Sequence, residues 1–366
     1  MAEPSAPGTS PPPQPTLRDG DVTIRPWTFN DVEQARLQHD EEIAYWFGFD
    51  GIVPSAETQR QAIERWHASY ADDRRIVSFL VEHRGEVAGA VEVRRLEGNT
   101  GRLSWAVFPR HRGFGVASRS VRLLIGYAFE SLGLARVFAE VEPDNLPSLR
   151  TAGRAGLRRE GVLRGAAATR GERHDYVLLG RLATDPEPQS RDGFLGILNA
   201  ALPTKRVIAQ GILRDGQGRV LLCELTYKRE WDLPGGVVDP LESPALALVR
   251  EIAEELRVDV RPTRLAAVNW LPPYRAWSDA VLFVFDLELV GVTPARLQET
   301  VTLERREIQA LHWCTLDDAE AHVAPYVMRF LRSLDAAAAE AQAGTGARDT
   351  LYLEDGIGGT LQPEGG

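Results

Sequence analysis

Sulfur is nearly absent from this 366-residue chain, which has two cysteines and two methionines. Cys223 and Cys314 stand far apart, and neither belongs to a CxxC pair. That excludes a disulfide framework and a cysteine-based zinc site. Both thiols are expected as small buried hydrophobes in a reducing compartment. Long apolar runs are also missing. No stretch approaches the roughly 20 apolar residues of a membrane helix, and the proline-rich start lacks a basic-then-apolar signal pattern. A cytoplasmic protein without a membrane partner is expected. Positive charge is short as well, with a formal net charge of −10. This balance speaks against non-specific nucleic-acid binding. Lysine is scarce beside arginine, a bias typical of high-GC bacteria.

What is present is globular in composition, with 43% hydrophobic and 26% charged residues. The length suggests two domains, each able to bury its own core. Residues 1–17 are proline-rich and expected to be disordered. Residues 338–366 are rich in Ala and Gly and are expected as a second disordered tail, with Ala336–Ala343 able to prolong a helix. The segment Thr184–Asp192 (TDPEPQSRD) breaks the patterning, which makes 184–203 a linker between domains at 18–183 and 204–337.

In the first domain, Val22–Pro26, Ser78–His83, Val87–Arg94, Arg102–Val107, Val137–Val141 and Asp175–Leu179 read as strands. Val116–Leu132 carries Val121, Leu124, Ile125, Ala128 and Phe129 at helical spacing. The order of elements indicates a mixed α/β sheet. The second domain reads as strands at Arg206–Leu213 and Val220–Glu224, joined by an Asp-Gly hairpin loop. A helix at Pro244–Leu256 follows, then strands near Leu265–Trp270, Ala280–Leu289 and Ala310–Thr315. A closing helix spans Ala324–Leu334.

Helical geometry places Glu251, Glu254 and Glu255 on one face of Pro244–Leu256. Leu246, Val249, Ile252, Ala253 and Leu256 are expected to pack on the sheet from the opposite face. Three stacked carboxylates repel one another unless a hard divalent cation neutralises them. The spacing is G-x5-E-x7-R-E-I-x-E-E, running from Gly236 through Glu242, Arg250, Glu251 and Ile252 to Glu254 and Glu255. Val258 follows, and Trp231–Gly235 precedes. This segment resembles the Nudix box. The one departure is Arg257, where that family has a glycine that leaves the helix in a left-handed turn. The resemblance covers about residues 205–335. It implies an α/β/α sandwich and Mg²⁺- or Mn²⁺-dependent hydrolysis of a nucleoside-diphosphate-type phosphoanhydride. It also implies that Glu254 and Glu255 are metal ligands and that Glu251 is a ligand or the water-activating base. By the same resemblance Arg250 orients these carboxylates. Gly236 and Glu242 join the metal set, Glu242 as an outer or additional ligand. Glu307 is a further carboxylate candidate, and Trp270, Tyr274 and Trp277 could stack on a base.

A second anion-binding pattern stands in the first domain. Arg110-His111-Arg112-Gly113-Phe114-Gly115 lies between the strand ending at Val107 and the helix opening with Val116 and Ala117. Glycines let backbone N–H groups approach an anion, and a helix N-terminus adds a favourable dipole. Asn145-Leu146-Pro147-Ser148 follows further on, before Gly153 and Gly156. Together these resemble the GNAT N-acetyltransferases, in the branch that acetylates ribosomal-protein N-termini. The resemblance spans about residues 18–183 and implies a mixed-sheet acyltransferase fold. It implies that Val107, Arg110, Arg112, Gly113, Phe114, Gly115, Val116 and Ala117 hold acetyl-CoA, with Asn145 and Ser148 near its pantetheine arm and thiol. The acceptor would be an amine or a peptide N-terminus. Glu92 is the candidate base and Ser148 a candidate catalytic hydroxyl. Tyr45, Trp46 and Phe49 could line an acceptor pocket. The implied whole is a bifunctional fusion. Two readings compete with it: a recognition module in the first half, or a nucleotide sensor without hydrolysis in the second.

Overall fold

The computed structural model describes residues 13–49, 51–169, 171–343 and 349–358. Most of the expected N-terminal tail lies outside them. The chain divides into two units, Met1–Leu202 and Pro203–Gly366.

The first unit is one eight-stranded mixed sheet. Its strands are β1 (Leu17–Asp19), β2 (Val22–Arg25), β3 (Ile76–His83), β4 (Glu86–Leu96), β5 (Thr100–Val107), β6 (Arg136–Val141), β7 (Arg158–Thr169) and β8 (Glu172–Leu182). They run in the order β1-β2-β3-β4-β5-β6-β8-β7. The helices are α1 (Val32–Arg36), α2 (Glu41–Phe47), α3 (Ala56–Ala71), α4 (Val116–Glu130), α5 (Leu146–Ala155) and α6 (Arg191–Ala201). Alternation along β3 feeds two cores, one per face, as a period-2 strand must. Val77, Phe79 and Val81 pack with Val121, Leu124 and Ile125 of α4. Leu80 packs with Val32, Ile43 and Ile63 of α1, α2 and α3. Within the expected linker, α6 begins at an N-cap, where Ser190 Oγ accepts from Gly193 N at 3.1 Å.

The second unit contains β9 (Arg206–Ile212), β10 (Val220–Leu225), β11 (Gly235–Val237), β12 (Asp259–Leu271), β13 (Ala280–Val290), β14 (Ile308–Cys314), β15 (Leu351–Glu354) and β16 (Ile357–Gly358). Its helices are α7 (Pro244–Leu256), α8 (Leu297–Thr300), α9 (Leu316–Glu320) and α10 (Pro325–Gln342). A six-stranded sheet, β11-β9-β13-β12-β15-β16, lies between two helical layers. Leu248, Ile252 and Leu256 of α7 join Ala209, Leu213 and Leu287 on one face. Val327, Phe330, Leu331 and Leu334 of α10 join Leu282 and Val284 on the other.

Three expectations are corrected. The Asp-Gly hairpin closes only at its base, through the bridge Arg214↔Val220. Beyond it β9 enters the large sheet while β10 pairs with β14, so the chain changes sheets. The face of α7 is rotated from the expected one. Leu246 is exposed, and Ala247 and Leu248 are buried in its place. The described part of the C-terminal tail is folded. α10 runs on to Gln342, as the alanine run allows, but further on β15 adds in parallel to the edge of β12, Ala267↔Leu351 through Trp270↔Glu354. Leu353 is buried there, and Gly356 N donates to the buried Asn269 Oδ1 at 3.0 Å. An open strand edge offers backbone partners to a tail that lacks a core of its own.

Candidate functional site

Each unit carries a candidate site of its own. In the first, β5 and β6 are parallel and pair only from Thr100↔Arg136 to Arg102↔Phe138. Beyond that point the strands part, and a cavity of about 1010 Å³ opens between them. Leu103–Val107 of β5 and Ala139–Val141 of β6 line it. Glycine is required behind this wall, because a Cβ at Gly89 would lie 2.1 Å from Ala106 O.

The glycine loop lies at one end of the cavity. Gly113 and Gly115 are left-handed, with φ of 84° and 72°, and Gly115 caps α4. Val116, Ala117 and Ser118, the first turn of α4, line the cavity. Their N–H groups have no partner within the helix, which leaves an anion-binding end. Val107, Arg112, Gly113, Asn145 and Ser148 also line the cavity, whereas Arg110 and Phe114 do not. The Arg112 guanidinium is already engaged by Asp40 (2.7 Å), Glu42 (2.6 Å) and Val107 O (2.9 Å). It therefore ties the loop to α2. His111 is buried against His83, their Nδ1 atoms 3.2 Å apart. Burial, then the facing His83, holds His111 below the usual imidazole range.

Asn145 caps α5, its Oδ1 accepting from Ser148 N at 3.1 Å. Glu92 lines the cavity and accepts from Trp66 Nε1 at 2.9 Å, with Arg94 at 3.5 Å. Trp46 and Phe49 reach the cavity and Tyr45 does not. Sequence reasoning missed Arg150 and Arg154, which line the cavity from α5. Their i,i+4 spacing was the available signal. Glu142 and Tyr176, also on the cavity wall, carry no motif.

The second site is built on α7. Ser243 caps the helix and Pro244 opens it, a position that needs no N–H. Gly236 of β11 lies under the helix, and a Cβ there would sit 2.5 Å from the Glu251 carboxyl carbon. Only glycine admits that carboxylate so close to the strand. Arg250 binds Glu242 with two nitrogens (3.0 and 2.9 Å) and Glu251 at 3.0 Å, with Glu254 at 3.4 Å. These bonds hold Glu242 below the ordinary carboxylate range. Glu254 is exposed, while Glu255 is buried beside Ile252 and Leu256.

The segment after α8 closes the site. Thr302 N and Glu304 N donate to the last carbonyls of α7, at Leu256 and Glu255 (3.1 and 2.8 Å). This satisfies acceptors that a helix end leaves open. It also brings Glu307 into hydrogen-bonding contact with Glu255. Burial first, then Glu251 and Glu307, push the Glu255 carboxyl up to about 8. Burial likewise raises Glu251. Among the described residues no three such side chains are already arranged as a cation site. The donor chemistry nevertheless fits a hard cation, since the charges of Glu251, Glu307 and Glu254 all act on the Glu255 carboxyl. Trp270, Tyr274 and Trp277 are not part of this cluster. Trp270 Nε1 donates to Asp279, and Trp277 lies under Arg206.

The two units are thus an α/β domain with a split sheet and an α/β/α domain with a carboxylate helix. Residues 21–158 match the acetyltransferase (GNAT) domain family and residues 204–333 match the NUDIX domain family. The chain is a fusion of a GNAT-family domain and a NUDIX-family domain. The uncharacterized N-acetyltransferase p20 of Bacillus licheniformis is 33% identical over 107 residues, 29% of this chain. That match covers 60% of the relative's own length. The putative ribosomal N-acetyltransferase YdaF of Bacillus subtilis is 28% identical over 162 residues, covering 43% of this chain and 88% of the relative. A MutT-like protein of Streptomyces ambofaciens is 27% identical over 137 residues, covering 37% and 80%.

Proposed function

We infer that the chain is a bifunctional cytoplasmic enzyme with its catalytic domains at 18–183 and 204–337. The first domain would transfer an acetyl group from acetyl-CoA to an amine, in the manner of the N-acetyltransferases it resembles. The second would hydrolyse a nucleoside-diphosphate-linked phosphoanhydride with Mg²⁺ or Mn²⁺. The observation that carries the first activity is the split between β5 and β6 ending at the N-terminus of α4. The freed edge of β5 offers backbone groups to an extended amide-bearing arm, as an added strand would use them. The left-handed Gly113 and Gly115 open the loop so that N–H groups of Gly113–Ala117 can hold a pyrophosphate. Arg150 and Arg154 supply the positive charge that Arg112 has committed to Asp40 and Glu42. Ser148 stands at the rim where a departing thiolate would take a proton. Glu92, fixed by Trp66, faces the acceptor side as the candidate base. Positioning supplies much of the rate in a reaction of this kind.

The second activity rests on the carboxylates around α7. Glu251, Glu254, Glu255 and Glu307 would hold the cation, and Gly236 leaves room for Glu251. When bound, the cation supplies Lewis-acid polarisation and a nucleophilic hydroxide at neutral pH. Arg250 orients Glu251 and fixes Glu242 at the edge of the site.

The test is a nucleotide and nucleotide-sugar screen with Mg²⁺, repeated with acetyl-CoA, beside acetyl transfer to amines and peptide N-termini. Glu255→Gln should abolish hydrolysis and leave acetyl transfer intact. Gly115→Val, which strains the left-handed cap, should abolish acetyl-CoA binding. Absence of both activities from the wild-type chain refutes this reading.

A further inference from the structure

The sheet divides the cavity wall into two sides. Residues two apart on a strand share a face. Val91 and Val93 of β4 and Leu103 of β5 belong to the core under α4. Glu92, Arg94, Arg102 and Ser104 alternate with them and line the cavity from the other face. On that face Ala90 and Ala106 pack with Val32, Ile43 and Ile63. It is the side away from the helix that follows the glycine loop, and so the side open to an acceptor.

This side has an apolar end and a charged end. Trp46, Phe47, Phe49 and Trp66 form the first. Phe47 and Phe49 stack with centroids 5.5 Å apart, yet remain 42% and 48% exposed. Trp66 is held by stacking on Trp27. Rings left wet in a cavity gain when a ligand's apolar group covers them. At the charged end, Arg94 of β4 stands directly opposite Arg102 of β5. Like charges in that position repel, and a bound anion relieves them. Each guanidinium meets one carboxylate through one nitrogen. Arg94 Nη2 is 3.5 Å from Glu92 Oε1, and Arg102 Nη2 is 2.9 Å from Glu140 Oε2. Among the described residues, their other N–H groups meet no protein acceptor, and the side chains are 53% and 49% exposed. A planar guanidinium with unused donors suits a carboxylate.

Glu92 joins the two ends. Its Oε2 accepts from Trp66 Nε1 at 2.9 Å, and its Oε1 faces Arg94. An ammonium on Glu92 and an anion on Arg94 would therefore be close neighbours, as the amine and acid of one α-carbon are. A polyamine carries no anion, and a peptide N-terminus carries an amide where the acid would be.

We propose that the acetyl acceptor is a free α-amino acid with an apolar side chain. Its carboxylate lies on Arg94 and Arg102, its ammonium on Glu92 and its side chain against Trp46, Phe47 and Phe49. This deepens, and rests on, the acetyltransferase reading above. The ammonium gives one proton to Glu92, and its lone pair forms the C–N bond at the acetyl carbonyl carbon. The C–S bond breaks with its electron pair on sulfur, which takes the second proton from nitrogen. The products are an N-acetyl amino acid, a free thiol and one proton passed to solvent.

The experiment follows thiol release from acetyl-CoA with phenylalanine, phenylalaninamide, glycine, 2-aminoethyl phosphate, an alanyl peptide and a polyamine. Wild type, Arg94→Gln, Arg102→Gln and Phe49→Ala are compared, with melting curves to confirm folding. Phenylalanine should give the highest kcat/KM, about 10–100-fold above its amide, which lacks the charge for the guanidinium pair. Arg94→Gln and Arg102→Gln should raise the KM for phenylalanine by a similar factor and leave phenylalaninamide unchanged, which general damage to the fold would not do. Phe49→Ala should lower the preference for phenylalanine over glycine by about 10-fold. Phenylalanine no better than its amide, or arginine variants that affect both alike, overturn the proposal. So does a preference for the peptide, the polyamine or the aminoalkyl phosphate, and each of these outcomes leaves the acetyltransferase reading standing. A wild-type chain that binds acetyl-CoA but releases no thiol with any amine overturns that reading, and this proposal with it.

Discussion

Arg257 closes α7 in the left-handed region, with φ 55° and ψ 37°. The Nudix pattern has glycine here, and the arginine keeps that backbone turn rather than replacing it. A side chain in this conformation costs about 1–2 kcal/mol. Arg257→Gly should therefore stabilise the second unit, by about 1 kcal/mol after the greater freedom of unfolded glycine is subtracted. A rise in melting temperature of a few degrees checks this. An unchanged or lower value shows that the Arg257 side chain compensates for its backbone. Glu255 sets a second prediction. Burial, then Glu251 and Glu307, raise its carboxyl to about 8. A raised carboxyl retains a proton in the folded chain that the unfolded chain has already lost. Its stabilising contribution is full below the ordinary carboxylate value and is lost as pH climbs toward about 8. Metal-free protein should melt progressively lower across that window. Glu255→Gln should flatten the decline, and added Mg²⁺ should reverse it in the wild type only. A pH-independent melting curve in EDTA refutes this.

At the scale of elements, legibility followed periodicity. α7 was read with its observed ends because Ser243, Pro244 and a continuous apolar stripe mark it. α3 was not read, because Ile63 is its only fully buried aliphatic residue and most of its surface is polar. β7 was missed for a related reason: RREGVLRGAAAT has no alternation, and its pairing with β8 is bulged in two places. Site residues followed the same rule. Gly113, Gly115, Glu251 and Glu255 stand in fixed spacings, whereas Glu142 stands in no motif and meets His174 only because β6 pairs with β8. The C-terminal strand is the strongest example, since its partner, β12, lies about 80 residues earlier. Deleting residues 344–366 should expose the β12 edge and take from the buried Asn269 the backbone N–H of Gly356. A lost hydrogen bond to a buried group costs about 1–3 kcal/mol, and the burial of Leu353 is lost as well. The truncated chain should melt lower and aggregate more readily. Full stability after truncation shows that β15 and β16 add nothing.

For the whole molecule, the decisive feature is that each unit keeps its own core. Among the described residues, the clusters built on Phe79 and Leu80 draw only on residues before Gly180, and those built on Leu248 and Phe330 only on residues after Lys205. Two cores without shared residues can unfold as separate cooperative transitions. A ligand that binds only the native state then raises only the transition of its own unit. Scanning calorimetry of the intact chain should resolve two transitions, one raised by acetyl-CoA and the other by Mg²⁺. Gly115→Val should remove the first response and spare the second, and Glu255→Gln the reverse. A single transition moved by both ligands refutes thermodynamic independence. It shows instead that occupancy of one domain is felt in the other, which is the energetic condition for a fusion whose two reactions regulate each other.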